Sequence, residues 1–369
     1  MSNIDKIRQA LYSQEFDAIL ITDPVNRLFA TGFESSDGVL LVTAHGAWFY
    51  TDSRYIEAAE SGVAGAEVLL VTPDTTYFDR VSAVIAESGL ASIGFEDGAL
   101  TYAEYVNWSD KLAPAFPPPD PGGDNARPRG LVPAGKMLSE LRSVKSREDL
   151  LGLKFSQSIA EKSFEEILPV ISTDMTEKEL AAELLYRFLK NGADDKSFDT
   201  IVVSGPKSSM PHGAPGDVKI SKGFLTIDFG VRVNGWCSDT TRTLCVGKPD
   251  EEMIKVYDTV LEAQLAGISA TRAGVAGVDV DKAARRVIED AGFGGFFGHG
   301  FGHGVGLEVH ESPTASVKSK DILQAGAVIS AEPGIYLPGR YGVRIEDVLY
   351  VTDDGCENIT SLPKELIII

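Results

Sequence analysis

The stretch GFLTIDFGVRVNGWCSDTTRTLCVG, residues 223–247, predicts a β-hairpin. Two apolar runs flank Asn234 and Gly235, and an Asn-Gly pair between such runs is the strongest short-range hairpin signal. With these two residues as the turn, Val233 pairs with Trp236. The register of the whole hairpin follows from that pair.

This register brings two carboxylates together. Asp228 lies opposite Thr241, and Asp239 shares their face because strand side chains alternate with a period of two. The two aspartates are then diagonal neighbours within roughly 8 Å, although a turn of different length would reverse the parity. Taken singly, each aspartate is typical of a solvated strand residue. Two like charges this close raise each other's pKa unless a cation lies between them.

The stretch AGAVISAEPGIYLPGRYGVRIEDVLYVT, residues 325–352, repeats the pattern. It predicts two strands around a Pro-Gly-Arg turn. Centred on Gly339, this hairpin places Glu332 opposite Glu346, with Arg344 on the same face. A second pair of facing carboxylates is therefore predicted.

Between the hairpins lies GHGFGHGVGLEVHESP, residues 298–313, with three of the five histidines of the chain. Its glycines match no G-x-G-x-x-G register, which disfavours a dinucleotide loop, and their density excludes a helix. His299 and His303 would share a strand face, whereas His310 joins them only if the chain bends. Glycine permits such a bend.

Together these segments supply a candidate metal site. Four carboxylates and one imidazole make a hard, oxygen-dominated donor set that suits Mn, Co or Fe, or a less selective Zn. Four carboxylates are also enough to bridge two divalent ions. The predicted ligands are Asp228, Asp239, His303, Glu332 and Glu346.

Composition narrows the class of protein. The 369 residues carry 54 acidic and 34 basic side chains, a net charge of −20, which argues against a nucleic-acid or anionic-membrane binder. No apolar run approaches the ~20 residues of a membrane span, and the start of the chain shows no signal-peptide pattern. Three scattered cysteines suit a reducing compartment, so we expect a cytoplasmic protein.

The length of the chain predicts two domains. Early in the chain, residues 17–22, 38–43 and 47–55 predict strands, the last two as a hairpin, and residues 77–89 predict a helix. Pro and Gly are dense from Pro114 to Gly135, which predicts an interdomain connection that is neither helix nor central strand. We expect a small α/β domain over residues 1–136.

The second domain is predicted as α+β over residues 137–369, with helices packed on an antiparallel sheet. A capping box from Thr176 to Glu179 marks the start of one helix. The helical patterns cover residues 146–171, 176–192, 251–270 and 279–293.

Residues 197–247, 298–313 and 329–347, in this order, resemble the pita-bread-fold metallopeptidases. That group includes aminopeptidase P, prolidase and methionine aminopeptidase, with creatinase as a relative that lacks the metals. NRLFATGF (26–33) and FYTDSRYIEAA (49–59) are similar to the creatinase-type N-terminal domain of the proline-specific branch. The extra domain disfavours methionine aminopeptidase, and the complete ligand set disfavours creatinase.

The resemblance implies a role for each candidate residue. The five ligands would hold two divalent metal ions, most simply manganese, with Glu332 also serving as general base and acid. His310 and His212 match histidines that contact the substrate carbonyl, and His299 matches a further histidine of the substrate pocket. Arg344 matches the arginine preceding the last ligand; we expect it to orient Glu346 in the substrate site.

The implied activity is hydrolysis of an N-terminal Xaa-Pro bond in short peptides, by an aminopeptidase or a dipeptidase. The competing interpretations are a non-catalytic pita-bread binding module and a metal-dependent hydrolase without proline specificity. The family relatives are commonly homodimers, so a homodimer is expected. Asp52, Arg54 and Tyr55 form either a fold-stabilising turn or a contact with the active-site mouth of a partner subunit.

Overall fold

The computed structural model describes residues 1–118 and 128–369, which form two compact units, Met1–Leu141 and Arg142–Ile369. The middle of the proline-rich connection, residues 119–127, lies outside the described residues. The domain boundary predicted after residue 136 stays a prediction.

The amino-terminal unit combines a mixed sheet with short helices. The described strands of this sheet are β1 (Ala18–Ile21), β2 (Val39–Thr43), β3 (Ala47–Thr51), β4 (Glu67–Leu70), β5 (Ser92–Phe95) and β6 (Gly130–Pro133). Their order is β4-β3-β2-β1-β5-β6, with β2 antiparallel to β1 and β3 and the other neighbours parallel. The helices of this unit are α1 (Asn3–Leu11), α2 (Pro24–Thr31), α3 (Ile56–Gly62), α4 (Tyr77–Ser88) and α5 (Tyr102–Leu112). Helix α6 (Met137–Ser143) begins in this unit and ends in the next.

One part of the predicted interdomain connection is wrong. Residues Gly130–Pro133 form β6 and pair in parallel with β5, so this end of the segment belongs to the amino-terminal sheet. β6 lies at the edge of that sheet. An edge position suits Pro133, because proline has no N–H to donate to a further strand.

The turn at Asp52 is held by its own side chains. The Arg54 Nε donates to Asp52 Oδ2 at 2.8 Å, and its Nη2 lies 2.5 Å from Asp37 Oδ2. The Tyr55 hydroxyl lies 2.6 Å from Ser36 Oγ. These contacts support the fold-stabilising interpretation, whereas a contact with a partner subunit stays a prediction.

The carboxy-terminal unit is the predicted α+β arrangement. Its longer helices are α7 (Arg147–Ile167), α8 (Glu177–Lys190), α9 (Glu251–Ala270) and α10 (Gly277–Asp290). The capping box of α8 forms as predicted, between Thr176 and Glu179. The strands are β7 (Asp195–Lys196), β8 (Ile201–Ser204), β9 (Gly223–Phe229), β10 (Val231–Val233), β11 (Trp236–Cys237), β12 (Thr240–Val246), β13 (Gly302–Gly304), β14 (Glu311–Ala315), β15 (Val328–Ala331), β16 (Gly334–Leu337), β17 (Tyr341–Arg344), β18 (Asp347–Val351) and β19 (Cys356–Asn358).

Two apolar cores fix these helices on antiparallel strands. In the first, α7 and α8 pack on β8, β9 and β12, and the ring of Phe229 stacks on Phe164 with the centroids 4.9 Å apart. In the second, α9 and α10 pack on β15 and on the β16–β17 hairpin, around residues such as Val260 and Ile329. No helix in residues 1–118 and 128–369 is long and apolar enough to cross a membrane.

The first hairpin has the predicted register. Val233 pairs with Trp236, and the same register continues to Asp228 opposite Thr241. Asn234 and Gly235 have φ values of 49° and 83°, the left-handed pair that a two-residue hairpin turn requires. The sequence alone therefore fixes which side chains of β9 and β12 face each other.

Candidate metal centre and active site

A cavity of about 610 Å³ opens in the carboxy-terminal unit. Every site residue predicted from the sequence lines it, although these residues are spread over more than 130 positions of the chain. They are His212, Asp228, Asp239, His299, His303, His310, Glu332, Arg344 and Glu346.

In the second hairpin the two glutamates lie between two sets of paired residues that share one register. Ala331 pairs with Asp347 on one side and Gly334 with Arg344 on the other, so Glu332 and Glu346 occupy the facing positions that the sequence predicts. The backbone N–H groups of the two glutamates do not bond to each other's strand. The N–H of Glu346 donates to the Thr241 carbonyl at 3.1 Å. This bond joins the second hairpin to the first.

Three predicted ligands lie within reach of one ion. The donor atoms of Asp239, His303 and Glu346 all lie within 4.8 Å of one another. The Nε2 of His303 lies 3.6 Å from Asp239 Oδ2 and 3.2 Å from Glu332 Oε1. Its Nδ1 donates to the Gly304 carbonyl at 3.1 Å, which fixes the ring so that Nε2 faces the carboxylates.

Burial and mutual repulsion raise the pKa of most of these carboxylates. Burial raises the pKa of Asp228, while burial and then the neighbouring carboxylates raise the pKa values of Asp239 and Glu346 well above their usual range. Burial alone would also raise the pKa of Glu332, but the hydrogen bond and charge of His303 lower it to about 2. The same hydrogen bond outweighs burial in His303 and raises its pKa to about 9.

The donor set fits divalent cations. The Oδ1 of Asp228 is buried and has no hydrogen-bond partner among the described residues. Asp239, Glu332 and Glu346 line the same cavity. A buried carboxylate with an unused oxygen is costly unless a cation neutralises it. Carboxylates with one imidazole are ligands that hard and borderline divalent ions accept.

Arg344 binds a different carboxylate from the one predicted. Its Nη2 lies 2.5 Å from Asp228 Oδ2, so its direct ion-pair partner is Asp228, whereas the sequence predicted only that it orients Glu346. It reaches Glu346 through Thr241, whose hydroxyl accepts from Arg344 Nε at 2.9 Å and donates to Glu346 Oε2 at 2.7 Å. Glu346 is only two residues from Arg344 in the sequence, so it was the expected neighbour. Packing of the two hairpins places Asp228 against the guanidinium instead.

The cavity histidines differ in their partners. Nδ1 of His299 donates to the Gly300 carbonyl and Nε2 lies 2.9 Å from the Tyr336 hydroxyl, so both ring nitrogens are engaged. Burial lowers the pKa of His299. His310 is exposed and stacks edge-on against His303 with centroids 4.2 Å apart; its ring nitrogens have no hydrogen-bond partner among the described residues.

The glycines of residues 298–313 are required for close packing. A Cβ on Gly302 would lie 1.9 Å from the Ser330 carbonyl oxygen, and one on Gly304 would lie 2.5 Å from that of Ser312. No residue described between 298 and 313 has a left-handed φ. The sequence explanation, that glycine supplies conformational freedom for the bend, is therefore replaced by a steric one.

One residue that supports the site, Gln264, is not predicted by the sequence. The buried amide of Gln264 on α9 donates to the carbonyls of Ala331 and Ile345, at 3.1 and 3.2 Å. These two residues immediately precede Glu332 and Glu346. No local pattern could have revealed this role, because the bonded residues are 67 and 81 positions away from Gln264.

The chain belongs to metallopeptidase family M24. The model of that family matches residues 152–353, and the Creatinase/Prolidase N-terminal domain matches residues 3–144. The chain is therefore a hydrolase of the metal-dependent peptidase class, built as a creatinase-like domain followed by a pita-bread catalytic domain.

Individual relatives align over nearly their whole length. An Xaa-Pro dipeptidase of Pyrococcus furiosus is 31% identical, over 99% of both chains. The structure resembles an Xaa-Pro dipeptidase from Bacillus anthracis, with a TM-score of 0.91 and 38% identity over 100% of this chain and 99% of that one. It also resembles an X-Pro aminopeptidase from Thermotoga maritima, with a TM-score of 0.88 and 32% identity over 98% and 100% of the two chains.

Proposed function

We propose that this protein hydrolyses the peptide bond between an N-terminal residue and a following proline. The observation that carries the proposal is the meeting of four carboxylates and His303 in one cavity. His212 and His310 lie beside them, and their ring nitrogens have no hydrogen-bond partner among the described residues. The relatives named as Xaa-Pro dipeptidases and an X-Pro aminopeptidase support the choice of proline.

The ligands in this proposal are Asp228, Asp239, His303, Glu332 and Glu346. When bound there, two divalent cations supply a water molecule of lowered pKa and polarise the scissile carbonyl. Manganese is the proposed ion because the donor set is mainly carboxylate oxygen. Arg344 positions Asp228 by its ion pair and Glu346 through Thr241.

Glu332 is the proposed proton carrier. It takes a proton from the attacking water and returns it to the proline nitrogen, which leaves as a secondary amine. Its side chain is half-buried at the cavity wall, and Ser330 Oγ lies 3.3 Å from its Oε1. A fixed carboxylate at this wall does not need to reorganise during the transfer.

His310 and His212 are the proposed partners of the substrate carbonyl. Both line the cavity and both are exposed, so their rings are available to donate to the oxygen as it gains negative charge. One donor of this kind contributes about 3 kcal/mol of transition-state stabilisation. His299 has both nitrogens engaged, so we assign it to the wall of the proline pocket.

Metal removal and restoration test the function. Chelated protein should lose activity on Xaa-Pro peptides and regain it when Mn or Co is added. Activity that persists in metal-free protein would contradict the mechanism. A comparison of Gly-Pro with an Xaa-Pro-Pro tripeptide decides between dipeptidase and aminopeptidase. Homodimeric assembly and a cytoplasmic compartment remain predictions, which analytical ultracentrifugation and cell fractionation test.

A further inference from the structure

Glu311 follows His310 directly in the sequence, and its carboxylate is held by two basic side chains. Its Oε2 lies 2.6 Å from Arg142 Nη2, and its Oε1 lies 2.5 Å from Lys145 Nζ. The side chains of all three residues are at most 6% exposed. This cluster is separate from the proposed metal ligands, and it attaches the turn that carries His310 to residues at the start of the catalytic unit.

The turn is closed around that carboxylate. A Cβ on Gly306 would lie 2.3 Å from Glu311 Oε1, so the glycine leaves room for the carboxylate to pack against the turn. The N–H of Gly306 donates to the Glu308 carbonyl at 2.9 Å, and the Glu308 side chain shares Arg142 at 2.6 Å. The positive charges of Arg142 and Lys145 therefore balance the negative charges of Glu308 and Glu311 at the base of the turn.

The ring of His310 has few restraints of its own. Among the described residues its only aromatic contact is the edge-on one with His303, and neither nitrogen has a hydrogen-bond partner. Free nitrogens suit a group that meets a substrate. The position of the ring must then be set by its backbone, and the neighbouring Glu311 is the buried anchor of that backbone.

We propose that Glu311, held by Arg142 and Lys145, is a positioning residue for His310. It fixes the turn from Gly306 to Glu311 so that the imidazole faces the cavity without needing a bond of its own. The inference rests on the proposed role of His310. Loss of the carboxylate would release the turn, and a misplacement of about 1 Å in a catalytic group can cost about 10²-fold in rate.

A double-mutant cycle tests the coupling between the two residues. Glu311→Gln, His310→Ala and the double variant are compared with the unchanged protein for kcat and KM on an Xaa-Pro peptide and for bound manganese. We expect Glu311→Gln to lower kcat about 10²-fold alone and less than about threefold in the His310→Ala background, since residues that act through one another are not additive. KM and manganese content should stay unchanged.

The outcomes separate the two proposals. The same factor in both backgrounds would overturn the positioning role while leaving that of His310 intact. If His310→Ala alone leaves kcat unchanged, the proposed role of His310 fails and the inference falls with it. Amide hydrogen exchange provides a readout besides activity: residues 306–311 should exchange faster in Glu311→Gln, and unchanged protection there contradicts the inference.

Two further variants keep the test sound. Arg142→Lys retains the charge but loses the planar guanidinium whose Nη2 contacts both Glu308 and Glu311. It should show the same coupling with a smaller fall in kcat, even if Glu311→Gln folds poorly. Glu96→Gln is the matched control, because it removes a buried carboxylate of the amino-terminal unit. It should lower the Tm and leave kcat within about twofold in both backgrounds.

Discussion

Arg344 donates a 2.5 Å hydrogen bond to Oδ2 of Asp228, and Oδ1 of that carboxylate has no partner among the described residues. The arginine therefore holds one oxygen and leaves the other, in a residue that lines the cavity, without a hydrogen bond. This arrangement suits a carboxylate that must be both fixed in place and available to a cation.

Replacement of Arg344 by lysine should lower kcat/KM by about 10- to 100-fold, the usual cost of losing a residue that orients metal ligands. A single ammonium cannot reach Asp228, Thr241 and the Tyr336 hydroxyl at once, as the guanidinium does. Steady-state kinetics and elemental analysis of bound metal measure the effect. Arg340→Lys on the same hairpin is the control, because Arg340 is exposed and paired with Glu252; equal losses in both variants would contradict the prediction.

The variant Asp239→Asn should abolish metal binding and turnover while stabilising the metal-free protein. Burial and the neighbouring carboxylates raise the pKa of Asp239 well above its usual range, so its ionised form costs stability at neutral pH and the amide relieves that cost. A gain of about 1 kcal/mol raises the Tm by about 1–2 °C in a protein of this size. Calorimetry of chelated protein tests this, with exposed Asp199→Asn as the control; a lower Tm for Asp239→Asn would refute it.

Substitution of Gln264 by leucine should reduce both stability and kcat. The change removes the buried amide that donates to the carbonyls of Ala331 and Ile345, and each such hydrogen bond contributes about 0.5–1.5 kcal/mol. It also releases the backbone next to Glu332 and Glu346. Urea unfolding and kinetics provide the measurements. Gln9→Leu, on the exposed side of α1, should be nearly neutral, and similar behaviour of the two variants would show that the buried bonds do not matter.

Two glycines of the histidine segment should respond differently to alanine. A Cβ on Gly302 would lie 1.9 Å from a carbonyl oxygen of β15, whereas one on Gly298 meets nothing within 4 Å. Gly302→Ala should therefore destabilise by about 1–3 kcal/mol, as overpacking does, and should lower activity by moving His303. Gly298→Ala should change stability by less than about 0.5 kcal/mol. Thermal unfolding of the pair checks this, and comparable losses would disprove the steric role.

Much of the site was predictable because its key contacts lie within hairpins. Asn234 and Gly235 define a turn, and the period of two then places Asp228 opposite Thr241. The same reasoning about Gly339 gives the facing positions of Glu332 and Glu346. The edge strand β6 was missed, because a proline-rich segment has little strand propensity and it was the pairing with β5 that decided its conformation.

The sequence by itself determined the registers of the two hairpins, the donor chemistry of the carboxylates and histidines, and the family to which the chain belongs. These depend on short-range periodicity, turn chemistry and residue type. Only the tertiary structure decided that Arg344 pairs with Asp228 116 positions away, and that Arg142 and Lys145 hold Glu311. Such pairs are set by how packed elements meet in space, because burial selects the partner that satisfies a charge regardless of its distance along the chain.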